Sequence, residues 1–297
     1  MATLYQERSA NTWKTWSLMV GFFLLVILVG WGVSYYYGSP VILYGAVAFA
    51  LVGNVGSYWF SDKLVLSMTH AKPATREEHF DFYTVTENLA ITAGLPMPKL
   101  YVIEDPAPNA FATGRDEKHA VVAATTGLLS MMTRTELEGV IAHELSHVKN
   151  KDMLVMTVAV VLAGFLAIIA DIFLRMSMFG GGDRDSKGNA LFMVLAVVGI
   201  VLAPIAAQLI QLAISRRREY LADASGALLT RYPEGLASAL QKIGSYGGAM
   251  KTANHATAHL FIGNPFGARA GNLMNKLFAT HPPVEDRIKQ LLQPDGR

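Results

Sequence analysis

The sequence contains no cysteine, which excludes disulfides and any metal held by thiolates. It is also short of charge. Only 16% of its 297 residues are Asp, Glu, Lys or Arg, against about 25% in ordinary globular domains. The shortage is local. Runs 17–36, 41–60 and 190–214 carry no charged residue, and run 153–174 carries only Asp171. A helix of about 20 apolar residues spans a bilayer, and each run reaches that length, so four transmembrane helices are expected. The first run is too long for a signal peptide and lacks a small-residue cleavage site, so it reads as an anchor that stays. The net charge is only +2 and no basic-aromatic stripe is present, so no nucleic-acid partner is expected.

The flanks of the runs predict their orientation. Arg8 and Lys14 precede the first, Lys63 and Lys72 follow the second, Lys149 and Lys151 precede the third, and Arg216, Arg217 and Arg218 follow the fourth. Basic residues stay on the cytoplasmic side, which places both termini and residues 61–152 there. The loop 175–189 has balanced charge and decides nothing.

Four segments result. Residues 1–60 hold an N-terminal stretch and a transmembrane hairpin, 61–152 the first polar part, 153–214 a second transmembrane pair, and 215–297 the second polar part. In the first polar part, "ATREEHFDFYTVTENLAITAGLP" reads as a helix ending near Gly94. "KLYVIE", "NAFATG" and "HAVVAATT" read as short strands, so a small sheet is expected and the class is α+β. "TRTELEGVIAHELSHVKN" opens on a capping box, Thr133 with Glu136 three residues on. The second polar part reads as helical over 216–232, 234–243 and 284–292. The Gly- and Asn-rich segment 244–280 has no clear pattern.

Within the capped helix, His143 and His147 are four residues apart and share a face, so both imidazoles can reach one ion. Glu144 is turned about 100° from His143, which lets a carboxylate sit beside the ion without ligating it. Leu137, Ile141, Leu145 and Val148 form a separate apolar face expected to pack on the sheet. Catalytic zinc takes three protein ligands and keeps one position open. "SRRREYLADASGA" offers Glu219 as the third, with Asp223 one turn later on the same face. Asp223 would accept the free N–H of a ligand imidazole and set its tautomer. The plainer reading is a solvated helix with an acidic pair balanced by arginines. Two spans separate His147 from Glu219, an even number, which returns Glu219 to the side of the histidines. Gln208, Ser215 and Glu219 share a helix face with Gln211 beside it, so the glutamines are expected either to face a polar cavity beneath the metal or to hydrogen-bond a neighbouring span.

These stretches carry a resemblance. Paired N-terminal runs, "NAFATG", "HELSHVKNKDM", two later runs, "RRREYLADASGA" and "THPPVEDRI" together resemble the HtpX family of membrane-bound zinc metalloproteases. That family lies within the gluzincin group, which includes the CAAX-prenyl endopeptidases. The resemblance implies four transmembrane helices and a zincin-like cytoplasmic protease domain, with a small sheet and the HExxH helix. It implies one Zn2+ per chain on His143, His147 and Glu219, with Glu144 as catalytic base. It further implies cleavage of polypeptides, notably misfolded membrane proteins, at the cytoplasmic face of a bacterial inner membrane.

With that site, His281 of "THPP" is a candidate donor to the developing oxyanion, and Arg287 a structural partner of a carboxylate. Asp152 either supports the ligand helix or ends it. The strand Asn109, Ala110, Phe111 and Ala112 is a candidate edge for binding substrate through its main chain, with 119–126 the alternative. His255 and His259 are expected at the surface. Two other classes compete: a membrane scaffold or adaptor with an inert zinc, and a zinc transporter. A binding-only site has no need of Glu144. A transporter needs ionisable groups inside its spans, where only Asp171 is found.

Overall fold

A computed structural model of the chain describes residues 2–179, 197–198, 200–202, 205, 216–252, 257–267 and 282–293. The chain divides into two compact units. One takes the residues up to Thr12, Ser61–Thr157 and the chain from 214 onward; the other takes Trp13–Phe60 and 158–213. The first twelve residues therefore join the polar unit, not the hairpin that the sequence grouped them with. Helix α7 likewise contributes its first residues to the polar unit, through Thr157.

The described elements in chain order begin with α1 (Ala2–Tyr37), α2 (Pro40–Trp59), α3 (Ser61–Met68), β1 (Lys72–Pro73), α4 (Phe80–Ala93), β2 (Lys99–Ile103) and β3 (Ala110–Thr113). There follow β4 (Val121–Thr125), α5 (Thr126–Met131), α6 (Arg134–Asn150), α7 (Asp152–Phe179), α8 (Arg216–Thr230), α9 (Pro233–Ser245) and α10 (Val284–Leu292). Two single 3-10 turns, Glu117–His119 and Ala258–Leu260, complete the list.

The polar unit contains a mixed four-stranded sheet in the order β1-β2-β4-β3. β2 and β4 run parallel with Lys99 opposite Val121, and β3 runs antiparallel to β4 with Ala110 opposite Ala124. All five residues of β4 are buried, as an interior strand of small and β-branched residues should be. Its interior position removes 119–126 as a substrate edge and leaves β3 at the border of the sheet.

Helix α6 lies at the centre of this unit, against β3, α4, α8 and α9. The sequence suggested one apolar face on the sheet and a second face in a groove. Instead every residue from Glu136 to Asn150 is buried except Glu138 and Lys149. Leu137, Ile141 and Leu145 pack into the core with Phe82, Val122 and Leu240. Burial of each such large apolar side chain contributes about 1.5–3 kcal/mol. The helix is thus held by packing on all sides, which helix propensity alone would not provide. Nor does it run on into the third apolar stretch. It stops at Asn150, Lys151 takes a left-handed conformation with φ 59°, and α7 starts at Asp152.

The other unit contains α1 from Trp13, α2, and α7 from Val158. Ser9–Tyr37, Pro40–Trp59 and Asp152–Asp171 are long and apolar enough to cross a membrane. On α1, Val20, Leu24, Leu28 and Trp31 are exposed at helical spacing, a stripe suited to lipid. Aromatic residues gather at the ends of these helices. Trp16 stacks on Tyr58 with ring centroids 6.4 Å apart, like the aromatic belts found at bilayer interfaces. Inside, Phe22 is buried beside Phe165. Most of the fourth expected run, with Gln208, Gln211 and Ser215, lies outside the described residues.

Candidate metal centre

The capping box read from the sequence is formed. Thr133 accepts from the backbone N–H of Glu136, and the Glu136 carboxylate accepts from the backbone N–H of Thr133 at 2.8 Å. Glu136 also binds Lys242 at 2.7 Å and Ser238 at 2.6 Å, tying the start of α6 to α9. Burial alone would raise its pKa. The bonds from Lys242, Ser238 and Thr133 outweigh that and hold it down to about 2.

Two turns further on, α8 approaches α6 very closely. A Cβ on Gly226 would lie 3.0 Å from the backbone nitrogen of His143, so only glycine lets the helices meet at this distance. Asp223 and Glu219, at three and seven residues before Gly226, are thereby brought against His143 and His147.

The Nε2 atoms of His143 and His147 are 3.1 Å apart. The Glu219 carboxylate closes the triangle, 3.8 Å from the first and 3.6 Å from the second. All three residues are buried. Both Nδ1 atoms face carboxylates: His143 meets Asp223 at 2.9 Å and His147 meets Asp152 at 3.2 Å. Each Nδ1–H therefore donates outward, and each Nε2 lone pair points to the shared centre. Two lone pairs held that close repel unless a proton or a cation lies between them. Zinc held tetrahedrally at about 2.0–2.1 Å keeps its ligand atoms about 3.3–3.4 Å apart. The observed separations bracket this distance, and nitrogen–nitrogen–oxygen is a donor set that zinc accepts. The residues fit the ion.

The electrostatics agree with a site built for a cation. Burial lowers His143 to about 4, against the pull of Asp223 and helped by His147 and Arg287. Burial also weighs on His147, but the hydrogen bond with Asp152 and the charges of Glu219, Asp152 and Glu144 outweigh it and raise it to about 9. Arg287, fully buried, grips Asp223 with two bonds, 2.8 Å from Nε and 2.7 Å from Nη2. It also donates to the Ile262 carbonyl at 3.3 Å.

Glu144 is buried beside the triad. Its carboxylate lies near the backbone N–H of Ala112 on β3, which favours the ionised form. Burial pushes its pKa up to about 7, partly opposed by His147 and Arg287 and assisted by Glu219. On the same strand, the Ala110 carbonyl accepts from Ile262 at 2.9 Å. The Asn109 side chain holds both the N–H and the carbonyl of Gly263, each at 3.0 Å. The outer edge of β3 at 109–110 is therefore covered by the 261–263 segment, and Ala112 is where this edge meets Glu144.

Of the residues singled out in the sequence, His143, Glu144, His147, Glu219, Asp223 and Ala112 come together. Of the two roles considered for Asp152, it takes the supporting one, facing Nδ1 of His147; α6 already ends at Asn150 with Lys151 as its cap, and Asp152 opens α7. His281 and His255 lie outside the described residues. His259 does not lie at the surface; it is buried, packed in the 3-10 turn Ala258–Leu260. The contribution of Asn11 was not read from the sequence. Nothing in its spacing links it to residues 150 and 152, which it touches.

A buried histidine pair with Glu219 and Glu144 at hand, on a helix packed against the border strand of a sheet, in a chain whose described residues include three helices apolar enough to cross a membrane, points to a membrane-bound zinc metallopeptidase. The comparisons agree. The sequence matches the description of Peptidase family M48 over residues 78–295. A "Protease HtpX homolog" of Caldanaerobacter subterraneus subsp. tengcongensis is 47% identical over 296 residues, covering 97% of each chain. Its counterpart in Thermoanaerobacter pseudethanolicus is 46% identical with the same coverage. The crystal structure of Ste24p from S. mikatae shares the fold with a TM-score of 0.52 at 18% identity, covering 98% of this chain and 67% of that one. The chain belongs to peptidase family M48.

Proposed function

We propose that His143, His147 and Glu219 hold one zinc ion per chain and that Glu144 is the general base of peptide-bond hydrolysis. The observation that supports this reading most is the convergence of both Nε2 atoms and the Glu219 carboxylate next to Glu144. When bound, the ion supplies Lewis acidity that polarises a carbonyl and acidifies water.

The protein's own groups do the rest. Asp223 and Asp152 hold the Nδ1–H of each imidazole and so aim the Nε2 atoms. Arg287 keeps Asp223 ionised and in place. Glu144 takes a proton from water as its oxygen bonds to the scissile carbonyl carbon. It returns that proton to the amine nitrogen as the carbon–nitrogen bond breaks. The neutral backbone N–H of Ala112 steadies the carboxylate between these steps. His281, from its place in "THPP", is the residue we assign as donor to the oxyanion.

The substrate is an extended polypeptide added along the outer edge of β3, of which Asn109, Ala110, Phe111 and Ala112 form the candidate stretch. With 109–110 covered by 261–263, the addition takes place beside Ala112. Main-chain recognition ignores side-chain identity, which suits misfolded membrane proteins as substrates. The basic flanks of the apolar runs support an active site at the cytoplasmic face of a bacterial inner membrane, in contact with the lipid bilayer. An inert zinc scaffold would not need a carboxylate buried at position 144.

Glu219→Ala tests the ligand set. Removing the third ligand is expected to abolish stoichiometric zinc after dialysis, along with cleavage of an unfolded model substrate. A variant that retains one zinc per chain would take Glu219 out of the site.

A further inference from the structure

The stretch before the first apolar run contains a side chain that is completely buried, Asn11. Its Nδ2 donates to Oδ1 of Asp152 at 2.6 Å and to the Asn150 carbonyl at 3.2 Å. Its Oδ1 accepts from Nη1 of Arg218 at 3.4 Å, and Nε of Arg218 lies 3.9 Å from the same Asp152 oxygen. The other oxygen of Asp152 faces Nδ1 of His147 at 3.2 Å. Asn150, Asp152 and Arg218 are themselves all but fully buried.

The physical role of each bond is clear. The Asn150 carbonyl is one of those at the end of α6 that have no partner within the helix. Lys151 forms the left-handed break, and Asp152 begins α7. One amide therefore bonds to both sides of the break that follows the ligand helix. A buried carboxylate needs donors on both oxygens to remain ionised and fixed. His147 serves one oxygen of Asp152 and Asn11 the other. Position 11 must supply two N–H donors and one acceptor from a short side chain, which asparagine does. Aspartate has no donors, leucine has neither, and glutamine is one methylene too long for a filled site.

We infer that Asn11 is a positioning residue of the metal site: it fixes the Asp152 carboxylate, which in turn aims His147. The inference rests on His147 being a metal ligand. The N-terminal stretch is in this way part of the peptidase unit and acts on zinc affinity through two hydrogen bonds.

The test is a double-variant cycle on the full chain in detergent, read as zinc affinity by competition with a chromophoric chelator. Partners that contact metal ligands directly contribute about 10–100-fold in affinity, and Asp152→Ala is expected in that range. Asn11→Leu, similar in volume but without donors, acts one bond further out and is expected to weaken zinc about three- to tenfold. The double variant is expected to bind no worse than Asp152→Ala alone, because Asn11 acts only through Asp152. Melting in excess chelator separates this from a loss of folding, and Asn11→Ser replaces Asn11→Leu in the cycle if the latter does not accumulate. Unchanged zinc affinity in the position-11 variant, or an additive loss in the double variant, overturns the inference. Wild-type affinity in His147→Ala would instead remove the ligand assignment beneath it.

Discussion

At Glu144 two influences compete for one proton. Burial raises the carboxyl from its ordinary 4.5 to about 7, while a cation at the neighbouring ligands favours the ionised form. The base must be ionised to accept a proton, so kcat/KM rises with pH through the pKa of this group. Its acid limb is expected between the ordinary 4.5 and about 7. A pH profile with zinc occupancy followed in parallel checks this, since acid also protonates the histidine ligands. A rate that stays level below 4.5 with zinc still bound contradicts the assignment. Residues of this kind were legible because helical spacing places them: His143, Glu144 and His147 share α6, and Glu219 and Asp223 share α8. Asn11 was not, and for Ala112, already in the candidate substrate strand, the approach to Glu144 was not. Their contacts depend on tertiary distances, which no short spacing encodes.

Among the elements, the junction of α6 and α8 sets the geometry of the site. Gly226→Ala would place a methyl group 3.0 Å from the His143 nitrogen and 3.2 Å from neighbouring backbone atoms. Alanine in an exposed helix interior gains up to about 1 kcal/mol over glycine. Here the backbone of α6 cannot yield, and α8 must move outward with Glu219. A misplacement of about 1 Å costs on the order of 100-fold in rate, so a shift of a few tenths of an ångström is expected to lower kcat/KM several-fold. Zinc affinity should weaken along with it. Zinc titration and steady-state kinetics of the variant decide; unaltered values would show that the junction has slack. The capping box, strands β2, β3 and β4 and the helices expected at 234–243 and 284–292 followed from local pattern, because local hydrogen bonds and turn residues dictate them; β1 at Lys72–Pro73 did not. The all-round burial of α6 did not, since periodicity detects one apolar face and this helix packs polar catalytic residues inward as well. The break at Lys151 was also hidden, because a lysine in a left-handed turn leaves no compositional mark.

For the whole molecule, the absence of cysteine becomes an experimental advantage. The basic flanks predict that the peptidase unit faces the cytoplasm. Lys118 is exposed at the 3-10 turn Glu117–His119, so Lys118→Cys introduces the only thiol in the chain. A membrane-impermeant maleimide is expected to label it in inverted vesicles and to leave it untouched in right-side-out ones. The reverse pattern would place the unit on the opposite face. The apolar runs were plain from composition, because a bilayer demands length and apolarity and little else. The assignment of the first twelve residues to the peptidase unit was not, since it depends on the buried hydrogen bonds of Asn11.

The central claim is that one carboxylate turns a zinc site into a peptidase, and Glu144→Gln tests it most directly. The amide leaves His143, His147 and Glu219 untouched but cannot take a proton from water. On a single preparation, metal analysis and cleavage of an unfolded substrate are measured together. The account predicts full zinc with cleavage lost; cleavage near the wild-type rate at full zinc would contradict it.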